Sequence, residues 1–310
     1  MRSKKIAVFL HLYNTDLAEY FLDYLLPVKD MVKVYITLPD SDEYQEVKDL
    51  LSPLKPTFEH VANIGTDILP FLKLLNKYGK KHTYFLKIHS KKSLRDMHAS
   101  WLSILMHELV GNKQIFKNNL TTLETNEELV AIGPASCLMN NEACHEIWID
   151  YLMAEMKIPQ THRSHFIAGT MFMGRIDPFI KYFNKNVAEW LERLMIKKGE
   201  VAHVKDWSHS LQRCYTNYVH CMERIFGYIG DVSITEPKCY LFTKEQNLRR
   251  LVITKDKEIY DVFNSTVFGN IIEEKDNKIT IIWKHKRPRI KEVYKVDHNL
   301  YLIQKVEDDS

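Results

Sequence analysis

Within its first ninety residues the chain alternates apolar strand-like runs with amphipathic helical ones, four times over. "IAVFLHLY" (6–13) is a continuous apolar run. "TDLAEYFLDYLLP" then puts Leu17, Tyr20, Phe21, Tyr24 and Leu25 on one helical face before Pro27 stops it. "VKVYITLP" (32–39) is a second strand, and "DSDEYQEVKDLL" is a helix whose acidic opening suits the positive helix start. "TFEHVANIG" (57–65) is a third strand. "TDILPFLKLLNKYGKK" carries Ile68, Phe71, Leu72 and Leu75 in helical register, with Gly79 as its C-terminal signal, and "HTYFLKIHS" is a fourth strand. Few architectures satisfy this order. It predicts the α/β class, a mostly parallel sheet with helices on both faces. In such sheets ligands bind beyond the carboxyl ends of the strands.

Further on, the pattern predicts a helix around "MHASWLSILMHELVG", another after it, a strand over "ELVAIGPAS" (128–136) and a helix around 142–156. "HFIAGTMFMGRI" (165–176) reads as one strand with a glycine mid-run, a mark of close backbone or ligand approach. "VAEWLERLMIKKG" is an amphipathic helix, and 207–230 contains another. Past about residue 246 the texture changes to short strand-like runs separated by polar turns such as "EKDNK", a small antiparallel meander. The organisation expected is a main domain over 1–245 and a β-rich appendage over 246–310, a division that 310 residues accommodate.

Charge and cysteine usage narrow the function classes. A net charge of +3 opposes a general polyanion binder but allows a local basic site. "KHKRPRIK" (284–291) has no nucleic-acid-binding motif around it, so no nucleic-acid partner is expected. No run approaches the roughly 18 apolar residues that span a bilayer. The start, "MRSKKIAVFLHLYNTD", reads as a first core strand rather than a signal peptide. Cys137, Cys144, Cys214, Cys221 and Cys239 are odd in number and form no CxxC pair, which predicts reduced thiols in a cytoplasmic protein and no zinc site.

Three segments carry candidate chemistry. In "YFLKIHSKKS", alternation puts Lys87 and His89 on one face and Ile88 on the other, with Ser90, Lys91 and Lys92 following. Converging cations there suit a diphosphate or a carboxylate, and a solvated basic loop fits equally well. In "VANIGTDILPF", Asn63 and Gly65 form a turn and Asp67 suits a helix N-cap, which needs no ligand. Asp40 poses the same choice at the end of the second strand. In "HCMERIFG", His220 and Glu223 are neighbours on a helix face, a plausible general base or a plain surface pair beside Arg224.

Taken in order, "HLYNTD", "NIGTDILPF", "KIHSKKS" with Trp101 downstream, "AGTMFMGR" and "HCMERIFG" resemble the rhamnan synthesis F family of polysaccharide glycosyltransferases, over roughly residues 6 to 230. Thr66 departs from the pattern, standing where many relatives have arginine. The element order is also similar to the GT-A fold of inverting glycosyltransferase family 2. In that fold an Asp-x-Asp motif at the end of strand four holds a divalent metal, and Lys87-Ile88-His89 takes its place here. The resemblance implies a nucleotide-diphosphate sugar as donor and a glycan or glycolipid as acceptor, with no metal or other cofactor. It implies that Lys87, His89, Ser90, Lys91 and Lys92 meet the diphosphate, and that His11, Asp40, Asn63 and Asp67 meet the nucleoside. Gly169, Thr170 and Met171 would line the acceptor side, and Glu223 would serve as base with His220 orienting or replacing it. The alternative is a non-catalytic sugar-nucleotide or glycan-binding module on the same fold.

Overall fold

The computed structural model describes residues 5–39, 44–90, 99–134, 137–140, 146–159, 165–197 and 218–234, and beyond them the backbone of short strands between 240 and 303. Two compact units divide the chain. The first comprises residues 1–90, 112–133 and 137–234, and the second residues 91–111, 134–136 and 235–310.

The first unit begins with the predicted alternation: β1 (Ile6–His11), α1 (Ala18–Leu25), β2 (Val32–Pro39), α2 (Gln45–Leu50), β3 (Thr57–Val61), α3 (Ile68–Tyr78) and β4 (Tyr84–His89). With α4 (Ala99–Val110) assigned to the second unit, the first continues through α5 (Lys113–Thr125), β5 (Leu129–Gly133), β6 (Leu138–Asn140), α6 (Glu146–Glu155), β7 (His165–Ile167), β8 (Phe172–Arg175), α7 (Ile176–Tyr182), α8 (Lys185–Lys197), α9 (Tyr218–Ile225) and β9 (Asp231–Ile234). The main sheet has the order β3-β2-β1-β4-β8-β5-β9. β8 pairs antiparallel with both β4 and β5, and the other six strands run parallel to one another. The chain steps outward from β1 to β3, then returns to lay β4 on the other side of β1. That reversal is a topological switch point.

All six residues of β1 and all six of β4 are buried, as expected of strands covered on both faces. On one face an aromatic layer joins sheet to helices. Phe9, Phe85 and Phe172 of the sheet meet Phe71 of α3 and Phe179 of α7, with Phe85 and Phe179 ring centroids 4.9 Å apart. Phe183 and Phe226 extend the layer. Such edge-to-face aromatic pairs contribute beyond their buried area.

On the opposite face Arg175, three residues along β8 from Phe172, reaches α5. Its Nε donates to Leu129 O at 2.8 Å, its Nη2 donates to Leu123 O and to Asn126 O, and its guanidinium lies over the Tyr84 ring. One arginine thus satisfies carbonyls at the end of α5 that have no helical partner. Arg175→Ala is expected to lower stability by about 2–3 kcal/mol, the scale of losing hydrogen bonds to a charged group, read as a fall in the urea midpoint.

Two expectations are corrected. The run 165–176 is not one strand: β7 pairs with β6 in a small separate sheet, and β8 joins the main sheet after a turn. Gly169 at φ +84° and Thr170 at φ +52° make that turn, because two consecutive left-handed residues cannot continue a strand. The third strand ends at Val61 rather than 65, since Gly65 (φ +67°) and Thr66 (φ +50°) form a second left-handed pair.

The second unit contains α4 and an eight-stranded sheet. Its strands are β10 (Tyr240–Phe242), β11 (Leu248–Arg249), β12 (Leu251–Ile253), β13 (Glu258–Asp261), β14 (Thr266–Lys275), β15 (Lys278–Trp283), β16 (Arg289–Asp297) and β17 (Leu300–Ile303). The order is β11-β10-β17-β16-β15-β14-β13-β12. β12 to β17 form an antiparallel meander, and β10 pairs parallel with β17. β11 and β12 stand at opposite edges, yet only residue 250 separates them. Residues two apart lie within about 7 Å, so the sheet curls until its edges approach each other, as in a small barrel.

Candidate functional site

The face that carries the aromatic layer turns polar at the carboxyl ends of its strands. Phe9 is followed two residues on by His11, and Phe85 by Lys87 and then His89. His11 is the register partner of both Thr37 in β2 and His89 in β4, which places all three at the switch point. Hydrogen bonds past the strand ends hold this edge together. Ser90 N donates to His11 O at 2.8 Å, Leu12 N to Thr37 O at 2.9 Å, and Asn14 N to Ser90 Oγ at 2.8 Å.

His11 is buried, with Nδ1 2.9 Å from Thr37 Oγ1, and the Thr37 hydroxyl oxygen also lies 3.4 Å from Leu10 O. Burial pushes the imidazole down to about 3; Asp67 opposes that shift, and the His89 and Lys87 charges add to it. His11 is therefore neutral throughout the physiological range.

Behind it lies an internal ion pair. Lys87 is 1% exposed, and its Nζ donates to Asp67 Oδ2 at 2.5 Å, to Thr170 O at 2.7 Å and to Thr170 Oγ1 at 3.1 Å. The ammonium also sits 5.5 Å from the Phe71 ring centroid. Burial alone would raise the Asp67 carboxyl. The charges of His89 and Lys87 and the hydrogen bonds from Lys87 and Thr170 outweigh it and hold the group well below the usual carboxylate range. Two expected roles are corrected here. The three N–H donors of Lys87 are engaged by protein oxygens, so it does not meet phosphate directly. Asp67 occupies the N-cap position of α3 but makes no side-chain cap, because its carboxylate turns to Lys87 and Thr170.

The Gly169–Thr170 turn is gripped at every polar backbone point that faces these groups. Gly169 N–H donates to Glu223 Oε1 at 2.5 Å. Gly169 O accepts from His89 Nε2 at 2.9 Å, which requires the proton of His89 to sit on Nε2. Thr170 Oγ1 donates to Asp67 Oδ2 at 2.5 Å. A non-glycine residue with positive φ costs roughly 1–3 kcal/mol and persists only where its surroundings over-determine it. Here Thr66 and Thr170 both pay that cost beside one carboxylate: Thr66 Oγ1 lies 3.2 Å from Asp67 Oδ1.

Glu223 comes from α9, whose Tyr218, Cys221, Met222 and Ile225 are buried. That face leaves His220 and Glu223 half-buried at its edge. Glu223 Oε2 is 3.8 Å from Arg224 Nη1, which also donates to His220 O at 3.0 Å, and the guanidinium lies 4.5 Å from the Phe166 ring centroid.

The structure thus brings together His11, Asp67, Lys87, His89, Ser90, Gly169, Thr170 and Glu223. Asn63 lies half-buried in the turn after β3. Met171 is fully buried, and Thr170 is 5% exposed with its hydroxyl turned to Asp67 and Lys87. Asp40, Lys91 and Lys92 lie outside the described residues. Sequence reasoning missed Thr37 and Asn14. The signal for Thr37 is a lone hydroxyl near the end of an otherwise apolar strand. Among the described residues, no three His, Cys, Asp or Glu side chains converge as metal ligands would, and no helix is long and apolar enough to cross a membrane.

A family model for rhamnan synthesis protein F matches residues 1–233. The chain belongs to the rhamnan synthesis protein F family. The family is associated with glycosyl transfer in polysaccharide synthesis. The rhamnan synthesis protein F match runs to within one residue of the end of β9, and so spans the whole main sheet. No curated protein matches the chain. A crystal structure of 4-diphosphocytidyl-2C-methyl-D-erythritol synthase from Anaerococcus prevotii aligns at 11% identity over 75% of this chain and 89% of that one, with a TM-score of 0.36. At that similarity the fold rests on the strand order given above.

Proposed function

We propose that the protein transfers a sugar, rhamnose or one like it, from a nucleotide-diphosphate donor to a glycan or glycolipid acceptor, on a GT-A-like fold. The observation that carries this reading is the convergence at the switch point. Neutral His11 and Ser90 stand beside His89 at the β4 end, and His89 and the Glu223 carboxylate from α9 hold one left-handed residue, Gly169, between them. An open α/β sheet binds ligands at that place.

In this reading the nucleoside sits against His11, with Asn63 and Asp40 near it. The diphosphate meets Ser90, Lys91 and Lys92 beside His89. Cations there stabilise the charge that develops on the departing nucleoside diphosphate. Glu223, oriented by the Gly169 N–H, takes the proton from the acceptor hydroxyl, with His220 the next candidate. The hydroxyl oxygen bonds to the sugar carbon as the carbon–oxygen bond to the diphosphate breaks. One base and one displacement give inversion.

The reading also holds that no divalent metal takes part, because Lys87-Ile88-His89 stands where metal-binding aspartates would be. Lys87 then supplies positive charge to the interior, and Lys91 and Lys92 supply it to the ligand. Titration calorimetry with a panel of nucleotide sugars in excess chelator is the test. Binding at full strength is expected. Binding that vanishes with chelator and returns with manganese contradicts the metal-free part. Binding with no transfer to any acceptor would instead identify a non-catalytic sugar-nucleotide-binding module.

A further inference from the structure

We infer that Lys87 is a positioning residue whose buried ammonium assembles the Gly169–Thr170 turn and through it aims Glu223. The inference rests on the glycosyl-transfer reading for its kinetic consequence, but not for its structural one.

The ammonium has three N–H donors, and Asp67 Oδ2, Thr170 O and Thr170 Oγ1 lie at 2.5, 2.7 and 3.1 Å from Nζ. Those oxygens come from two segments over one hundred residues apart in sequence, the start of α3 and the turn before β8. With the Phe71 ring beneath it, the side chain acts as a tethered cation inside an oxygen cage. The turn it holds is strained at Thr170, a non-glycine residue at φ +52°, next to Gly169 at φ +84°, a conformation that glycine takes freely. Strain of this kind relaxes unless neighbours oppose it. Lys87 and Asp67 hold Thr170, while His89 and Glu223 hold the two ends of the Gly169 residue. If the Lys87 cage opens, Thr170 is released first, and the Gly169 N–H that orients Glu223 moves with it. Lys87 itself is 1% exposed, so it acts on a ligand only through the turn.

Two variants and two readouts test this. Lys87→Met removes the charge at similar length but leaves Asp67 buried and unpaired, which can prevent folding. Lys87→Met combined with Asp67→Asn removes both charges and keeps a partner for the Thr170 hydroxyl. In the folded double variant the Gly169 amide is expected to exchange with deuterium at least tenfold faster than in the parent. Its turnover is expected to fall at least tenfold, with the donor KM within about twofold of the parent. An unchanged Gly169 exchange rate overturns the inference. So does a KM that rises while kcat is kept, since that places Lys87 on the donor. If the parent transfers nothing from any nucleotide sugar, the functional reading fails, and amide exchange alone still decides the role of Lys87.

Discussion

Glu223→Gln is expected to keep donor affinity and to lose transfer by about 100-fold or more, the scale of removing a general base. The substitution preserves shape and an oxygen that accepts the Gly169 N–H, now held at 2.5 Å by Oε1. What it removes is the capacity to take a proton. The half-buried edge of α9 suits that task, since the carboxylate is oriented by a backbone donor and lies beside Arg224 without being sealed in the core. The competing account makes Glu223 only a clamp for the turn. In that case the glutamine variant keeps both its clamp and its activity, and the base must be sought at His220. A variant that melts far below the parent and no longer binds donor would mark Glu223 as a support of the fold.

The second large effect is acid sensitivity from His11. Its folded pKa is lowered from 6.5 to about 3 by burial. Below 6.5 the unfolded chain binds a proton that the folded chain refuses. The contribution of this group is therefore complete above about 6.5 and shrinks as pH falls toward 3. The slope is about 1.4 kcal/mol per pH unit, or about 3 kcal/mol between pH 6.5 and 4. The Asp67 carboxyl is also depressed, so its stabilisation persists until pH falls below about 3.8, its ordinary value. The window from 6.5 to 4 lies above that value, so the Asp67 contribution stays constant across it. Urea midpoints measured across it should fall less steeply for His11→Asn than for the parent, by about that slope. The variant starts lower at pH 8 because it loses the packing of the buried ring. Parallel curves for the two proteins would mean that His11 titrates normally in the folded state.

The parallel half of the sheet is legible in the sequence because burial on both faces leaves continuous apolar runs, and "IAVFLH" and "YFLKIH" are such runs. Alternation alone sets Lys87 and His89 on the face that carries Phe85. The destination of the Lys87 charge is not legible. A lysine that meets phosphate and one that meets an aspartate twenty residues away look the same in sequence, and only the packing of α3 against β4 separates them. The run 165–176 hides its turn for a related reason. It is mostly apolar, since residues 166–174 are buried, and Gly169 is the local sign of a break. β9 is four residues long, too short for a periodicity to be seen. The closing of the second sheet depends on pairing between strands far apart in the chain, which local pattern does not carry.

The central claim is that ligand and base meet at the switch point of the main sheet, and release of nucleoside diphosphate tests it most directly. The protein is incubated with individual nucleotide sugars in excess chelator, with and without a glycan acceptor, beside Glu223→Gln. The account predicts acceptor-stimulated release for at least one nucleotide sugar in the parent, and release reduced about 100-fold or more in the variant with its donor affinity intact. Parent and variant releasing at equal rates, or no nucleotide sugar being bound or consumed, would contradict it.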